Sequence, residues 1–220
     1  YGQTVNGELQ PLNFASLGVE SSNWQKKVLR DALTQSYNLS ITSGGKSQTK
    51  LAASFGYLNQ QGIIIKNLFE RYNARMRADT EINTKLSLGG NINFSHQIAS
   101  GAVTSSGGNS YNGLIQSFVL FRPFAGNESI DESDPANNGG ITNPVDFLNN
   151  SYKNVPTTRT MIDGYVQYKI LDELIFRSNG GGMLLRSKSE EWYPSSTSWG
   201  YTPNGLAVST STDVSSWQNS

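Results

Sequence analysis

Cysteine is absent from the 220-residue chain, which excludes a disulfide framework, a thiolate-bound zinc and a thiol nucleophile. Charge of either sign is scarce: charged side chains make up 15% of the residues, and 17 basic ones balance 17 acidic ones. No electrostatic case for a nucleic acid or an anionic surface follows from a net charge of zero. A cytosolic enzyme domain usually carries nearer a quarter charged, roughly. Histidine occurs once, at His96, so a Ser-His-Asp triad would have to use that residue. It lies near a strand end without a paired motif and reads as a surface or interface residue. No apolar run approaches the ~18 residues of a membrane-spanning helix. What the chain does have is Gly, Ser, Thr, Asn and Tyr, with 22 Gly and 10 Tyr. That composition points to an all-β protein with polar loops.

Hydrophobic period locates the strands. Residues 1–36 are weakly patterned, apart from a short helix predicted over 23–33, with Asn23 as N-cap and Trp24, Val28 and Leu29 on one face. From 37 the period is two. Tyr37, Leu39 and Ile41 alternate with Asn38, Ser40 and Thr42, and after a Gly44-Gly45 turn Leu51, Ala53, Phe55 and Tyr57 continue the pattern. Tyr72, Ala74, Met76 and Ala78 oppose Arg71, Asn73, Arg75, Arg77 and Asp79. Beyond a turn near Asn83, Leu86, Leu88, Gly90, Ile92 and Phe94 oppose Ser87, Asn91, Asn93 and Ser95. The period then lapses over 99–158, where "LIQSFVLFRPF" (114–124) predicts a short helix ended by Pro123. It resumes from Ile162 to Ile170, turns at "LDEL" and runs out through "NGGGM" to Tyr193. The glycines of that run follow no dinucleotide-loop pattern and read as relief of crowding or a bend in a strand.

One face of these strands is apolar but broken by Ala and Gly, and the other is Ser, Asn, Gly and Thr with three arginines. Lipid asks only for an apolar exterior with aromatic residues at the interface, and a water-filled lumen tolerates Arg, Asn and Asp. Strands of about 10 to 15 residues also exceed the usual globular length. Two architectures stay open on pattern alone: an outer-membrane barrel, or a soluble secreted all-β carbohydrate-binding module with a core closed between two sheets. In the barrel, Arg71, Arg75 and Arg77 must face the lumen, because lipid exposure would cost each about 2–4 kcal/mol. Loop length orients it: long loops lie outside and short turns face the periplasm. The expected layout is an extracellular segment over 1–36 after a missing first strand, two hairpins over 37–98 and a long extracellular loop over 99–158. A third hairpin spans 159–193, and a truncated extracellular loop spans 194–220. The N-terminal parity requires a strand before residue 1, so the expectation is a piece of a longer barrel.

The stretches "NWQKKVLRDALTQSYNLSITSGG" and "SFGYLNQQGIIIKNLFERYNARMRADTEINTKLSLGGNINFSH" resemble the SusC/RagA family of TonB-dependent outer-membrane transporters. The match runs through Trp24, Gln25, Gln35, Tyr37, Leu39, Ser40, Ser43, Gly44 and Gly45. It continues through Ser54, Gly56, Tyr57, Leu58, Gln60, Gly62, Ile63, Ile64, Phe69, Arg71, Tyr72, Arg75, Leu88, Gly90 and Asn91. "NPVDFLNN", "GYVQYKILDELIFRSNGG" and "EEWYPS" fit the hairpin that follows. The resemblance implies an all-β fold of antiparallel strands, with about six strands of a 22-stranded transmembrane β-barrel in this chain. It further implies residence in the outer membrane of a Gram-negative bacterium and import of glycan or peptide oligomers. The partners it implies are a SusD-like surface lipoprotein, outer-membrane lipid and, through N-terminal parts outside this chain, the TonB-ExbB-ExbD energising complex. It implies no enzyme activity, no cofactor, no metal and no nucleic acid.

Other constellations read as structure. Ser43 and Lys46 fit S-x-x-K but lack the companion K-T-G and S-D-N boxes, so the glycines between them make a hairpin turn. "DESDPANNGGIT" from Asp131 has oxygen ligands but Pro at its fifth position and no Glu at its twelfth, a poor EF-hand. Trp192, Tyr193, Trp199 and Tyr201 fall in or near an extracellular loop and are the candidate substrate contacts, since sugar rings stack on such faces. Arg71, Arg75 and Arg77 are the candidate electropositive patch along a lumen.

Overall fold

The computed structural model describes residues 2–5, 8–11, 22–44, 48–102, 113–123 and 141–220. The chain divides into two units. Arg30–Ala102, Tyr152–Trp192 and Ala207–Ser220 form one; Tyr1–Leu29, Val103–Ser151 and Tyr193–Leu206 form the other.

The larger unit is a single antiparallel sheet. Its strands are β3 (Thr34–Ser43), β4 (Thr49–Gln61), β5 (Leu68–Glu81), β6 (Leu86–Gly101), β7 (Tyr152–Leu171), β8 (Leu174–Tyr193) and β9 (Leu206–Asn219), following β1 (Gly2–Val5) and β2 (Glu8–Pro11) of the other unit. They lie side by side in chain order, β3 to β9, as an up-and-down meander. The all-β expectation therefore holds, with seven strands in the sheet rather than about six. Connections at one end of the strands are 44–48, 82–85 and 172–173; those at the other are 62–67, 102–151 and 194–205.

Register carries the two-faced pattern across the sheet. Leu39 pairs with Phe55, Phe55 with Ala74, Ala74 with Phe94, Phe94 with Thr160 and Thr160 with Leu184. The next row runs Ile41, Ala53, Met76, Ile92, Ile162 and Gly182. Because side chains alternate with a period of two, all of these share one face. That face is not covered: Leu39 is 62% exposed, Ile41 63% and Met76 65%. The soluble alternative required two sheets closing over such residues, and among the described residues the seven strands form one sheet.

The second unit holds the packed interior. Its helices are α1 (Trp24–Val28), α2 (Leu114–Leu120), α3 (Pro144–Asn150) and α4 (Ser198–Tyr201). Val28, Leu114, Phe121, Phe147, Leu148 and Tyr193 are buried within it. Asn23 caps α1 by accepting from the Lys26 amide, and Asn143 caps α3 by accepting from Val145 and Asp146, with Pro144 in the first turn. The Trp24 indole N–H donates to the Arg122 carbonyl at 2.8 Å, and its ring meets Phe121 edge-on at 5.3 Å.

Several boundaries differ from the sequence reading. The first hairpin starts at Thr34, not 37, and β7 starts at Tyr152, inside the expected 99–158 loop. The 194–220 loop contains β9 from Leu206. Ser and Thr occupy both faces of that strand, so no apolar alternation marks it, although β-branched Val and Thr favour extended backbone. The helix over 23–33 is confined to Trp24–Val28, and that over 114–124 ends at Leu120. Helix α3 was unforeseen; Asn143-Pro144 was its signal. Gly45 to Ser47 and the loop from Asp131 lie outside the described residues.

Candidate functional site

The polar face of the sheet is where chemistry-bearing side chains gather. Alternation on β5 puts Arg71, Arg75 and Arg77 on the face opposite Tyr72, Ala74 and Met76, as the period of two predicted. Asp79 joins them there. In register, Asp79 of β5 faces Gly89 of β6, which faces Tyr165 of β7. The Tyr165 ring crosses β6 over Gly89, and its hydroxyl donates to Asp79 Oδ1 at 3.1 Å. A Cβ on Gly89 would overlap the Tyr165 ring, so only glycine permits that crossing. Arg77 Nε lies 2.6 Å from Asp79 Oδ2, and the Arg177 guanidinium sits 4.2 Å from the Tyr165 ring centroid.

A second line of polar contacts runs beside the first. Arg75 Nε donates to Asn91 Oδ1 at 3.0 Å, and Asn91 Nδ2 donates to Asp163 Oδ1 at 3.0 Å. Arg177 Nε donates to Asn179 Oδ1 at 3.1 Å. Together these residues line a recess of ≈ 460 Å³ on the polar face. Its charges are held by hydrogen bonds at modest depth; Arg77 is 55% exposed. The arrangement can orient a polar or anionic group. Among the described residues no cluster of three His, Cys, Asp or Glu comes together to hold a metal ion.

Of the four candidate aromatic contacts, Trp192 belongs to the sheet and Tyr193, Trp199 and Tyr201 to the helical unit. Tyr193 is 2% exposed, packed edge-on to Phe147 at 6.5 Å and stacked on Trp199 at 5.5 Å. It is a core residue with no face free for a sugar, which corrects its reading as a substrate contact. Its position is fixed locally, because Thr197 donates to the Pro194 carbonyl while accepting from the Gly200 amide. Tyr201 is 50% exposed. Trp192 pairs with Tyr152 and has the parity of Leu184 and Arg186, so it stands on the face that carries the apolar rows. His96 shares that face too and bonds Thr158 Oγ1 at 2.8 Å through Nδ1. Sequence reasoning missed Arg159, Tyr165 and Arg177, whose relation to the arginines of β5 exists only through the register of β6, β7 and β8.

Comparison with known proteins gives a consistent picture. No family model matches the chain. A TonB-dependent receptor P3 from Formosa agariphila is 24% identical over 168 residues, covering 74% of this chain and 17% of that protein. Among solved structures, the RagAB peptide transporter superposes with a TM-score of 0.62 at 17% identity, over 98% of this chain and 24% of that one. The RagAB peptide importer in its closed-closed state gives 0.59 at 18% identity, over 80% of this chain and 21% of that one. The chain thus spans about a fifth of the length of the proteins it matches. The sequence match is to a TonB-dependent receptor, and the fold match is to RagAB; both accord with the resemblance to SusC/RagA transporters read from the sequence. No described helix is long and apolar enough to cross a membrane, which leaves crossing by strands untouched.

Proposed function

We propose that this chain forms part of the lipid-embedded wall of a TonB-dependent outer-membrane importer. Its cargo is a glycan or peptide oligomer, and a SusD-like surface lipoprotein shares the substrate site. Energy reaches it from TonB-ExbB-ExbD through parts of the protein outside these residues.

The observation that carries the reading is the uncovered apolar face and the way it ends. On β7 the outward positions from Thr160 to Ile170 are Ile162, Gly164, Val166, Tyr168 and Ile170. Ten residue steps of about 3.3 Å, tilted by roughly 40°, span about 25 Å, the height of the apolar band of an outer-membrane barrel. Tyrosines mark both borders. Tyr37, Tyr57 and Tyr72 form one row, the first pair stacked and the second tilted, with ring centroids 6.3 and 4.9 Å apart. Beyond that row the same face turns polar, and the Tyr57 hydroxyl donates to Glu70 at 3.1 Å. Tyr168 and Phe176 stand opposite each other at the other border. Aromatic rings with one wet end suit a membrane–water interface.

The test is expression of the full-length protein in a Gram-negative host. It partitions with the outer membrane, needs detergent for extraction and migrates on unheated gels as a folded barrel. Uptake of its oligomer stops when TonB is deleted. Recovery of this 24.0 kDa chain as a monodisperse species in plain buffer would overturn the reading.

A further inference from the structure

We propose that Arg71, Arg75 and Arg159 form a carboxylate-recognising site on the polar face of the sheet, and that its ligand is an acidic oligomer. This deepens the importer reading and rests on it, because a lumen-lining site meets cargo only if the sheet lines a lumen.

Register places the three side chains as a triangle. Arg71 pairs with Gln97, which pairs with Thr157; Arg75 pairs with Asn93, which pairs with Met161. Arg159 lies midway between Thr157 and Met161 on β7, two strands from β5. With strands about 4.8 Å apart and residues about 3.3 Å apart, each edge of the triangle is about 12 to 13 Å. Extended arginines from three corners can converge on one ligand spanning that distance. All three side chains belong to exposed residues.

The side chains between them are neutral, although Arg75 also borders the recess that holds Arg77, Asp79 and Asp163. Asn73, Asn93, Ser95 and Gln97 fill the space between them on β5 and β6. Beyond Asn73 the face is further lined with amides, since a Cβ on Gly56 would come within 2.8 Å of both the Asn38 and the Asn73 side chains. None of the three arginines has an ion-pair partner among the described residues; Arg75 donates instead to the neutral Asn91. Elsewhere on this face two cations, Arg77 and Lys153, have carboxylates supplied by the sheet. Arg77 has Asp79 two residues away, and Lys153 has Glu191 directly across the strand pair at 2.6 Å. Permanent pairs are thus built from adjacent positions, and the triangle is left without them. An arginine without a carboxylate partner keeps its planar fork open to a bidentate carboxylate. Exchange with solvent at each arginine keeps such binding weak enough to release cargo.

The experiment uses the full-length protein in detergent at low salt, with hexaglutamate as probe and hexaglutamine as neutral control, read by calorimetry. Hexaglutamate binds more tightly than hexaglutamine, and the preference shrinks as salt screens the charges. Each of Arg71→Gln, Arg75→Gln and Arg159→Gln weakens hexaglutamate binding by roughly two- to fivefold, and the triple variant by about tenfold or more. The triple Arg→Lys variant keeps the salt-dependent preference and so controls for folding. Equal binding of the two peptides, or hexaglutamate binding unchanged in the triple Gln variant, overturns the proposal. So does a triple Gln variant that loses thermal stability with probe affinity intact, which would assign the arginines to carboxylates of the protein's own remaining segments. Fractionation separates this failure from that of the importer reading: an outer-membrane protein indifferent to hexaglutamate loses only the carboxylate site.

Discussion

The helical unit and the seven-stranded sheet place their apolar side chains in opposite surroundings. In the first, Phe147, Leu114, Val28 and Tyr193 are buried against one another. In the second, Leu39, Phe55, Met76, Ile92 and Ile162 stand outward, and among the described residues only Ile64 and Ala102 are buried apolar ones. A protein in water is stabilised by removing apolar area from solvent, so the first unit has its own source of stability. Among the described residues the sheet has inter-strand hydrogen bonds but no interior of its own, and in the proposed barrel lipid takes the place of one. An open sheet also leaves unpaired backbone at β3 and β9, which further strands of a barrel would satisfy. The contrast teaches that one chain can combine a unit with its own packed interior and a sheet with none, each recognisable by where its large side chains point.

The sharpest way to break that contrast is to empty the interior of the helical unit. Phe147 is 0% exposed, and Phe147→Ala is expected to cost about 3–5 kcal/mol locally. Limited proteolysis of the full-length protein in detergent should show new cleavage within 113–151, with the strands still protected. Loss of strand protection in the same variant would mean that the two units do not hold themselves separately.

The sheet gives the complementary test. Val166 faces outward near the middle of the apolar band, and Val166→Arg is expected to destabilise the membrane-inserted protein by about 2–4 kcal/mol. Its neighbour Gln167 faces the polar side opposite Arg177, and Gln167→Glu should leave stability within about 0.5 kcal/mol. Urea titration of the protein folded into lipid vesicles measures both. Equal effects at the two adjacent positions would remove the distinction between lipid and lumen faces.

Legibility from sequence follows the same division. Strands β3 to β6 were readable because apolar and polar residues alternate without a break from Tyr37 to Ser43 and from Leu86 to Ser95. Strand β9 was not, since Ser209, Ser211 and Ser215 on one face mirror Thr210, Thr212 and Ser216 on the other. The arginines of β5 were legible as a row, but Arg159 and Arg177 were not tied to them, because pairing across β6 to β8 is a register property that no local pattern encodes. Tyr193 was misjudged for a related reason: its burial depends on Phe147 and Trp199, and Phe147 is remote in sequence.

A smaller effect tests how the helical unit is trimmed. Asn23 supplies the side-chain cap at the start of α1, and Asn23→Ala should cost about 1 kcal/mol. Hydrogen exchange at Lys26 and Lys27 would rise, and exchange in the strands would stay as it was. Unchanged exchange at Lys26 would show that packing of Trp24 against Phe121, rather than the cap, sets the start of the helix.

The smallest effect belongs to the polar face of the sheet. Arg77 and Asp79 make a short ion pair, yet Arg77 is 55% exposed and water screens the attraction. Arg77→Met should therefore change stability by only about 0.2–1 kcal/mol, and less at high salt. Asp79 would still accept from Tyr165, so the neighbouring hydrogen bond is a control within the same site. A double-mutant cycle of Arg77→Met with Asp79→Asn isolates the pair. A coupling of several kcal/mol would mean that the pair is enclosed by other parts of the protein and contributes as a buried one does. A coupling near the low figure would fit a wetted lumen wall, where charged side chains are tolerated and kept for what they can bind.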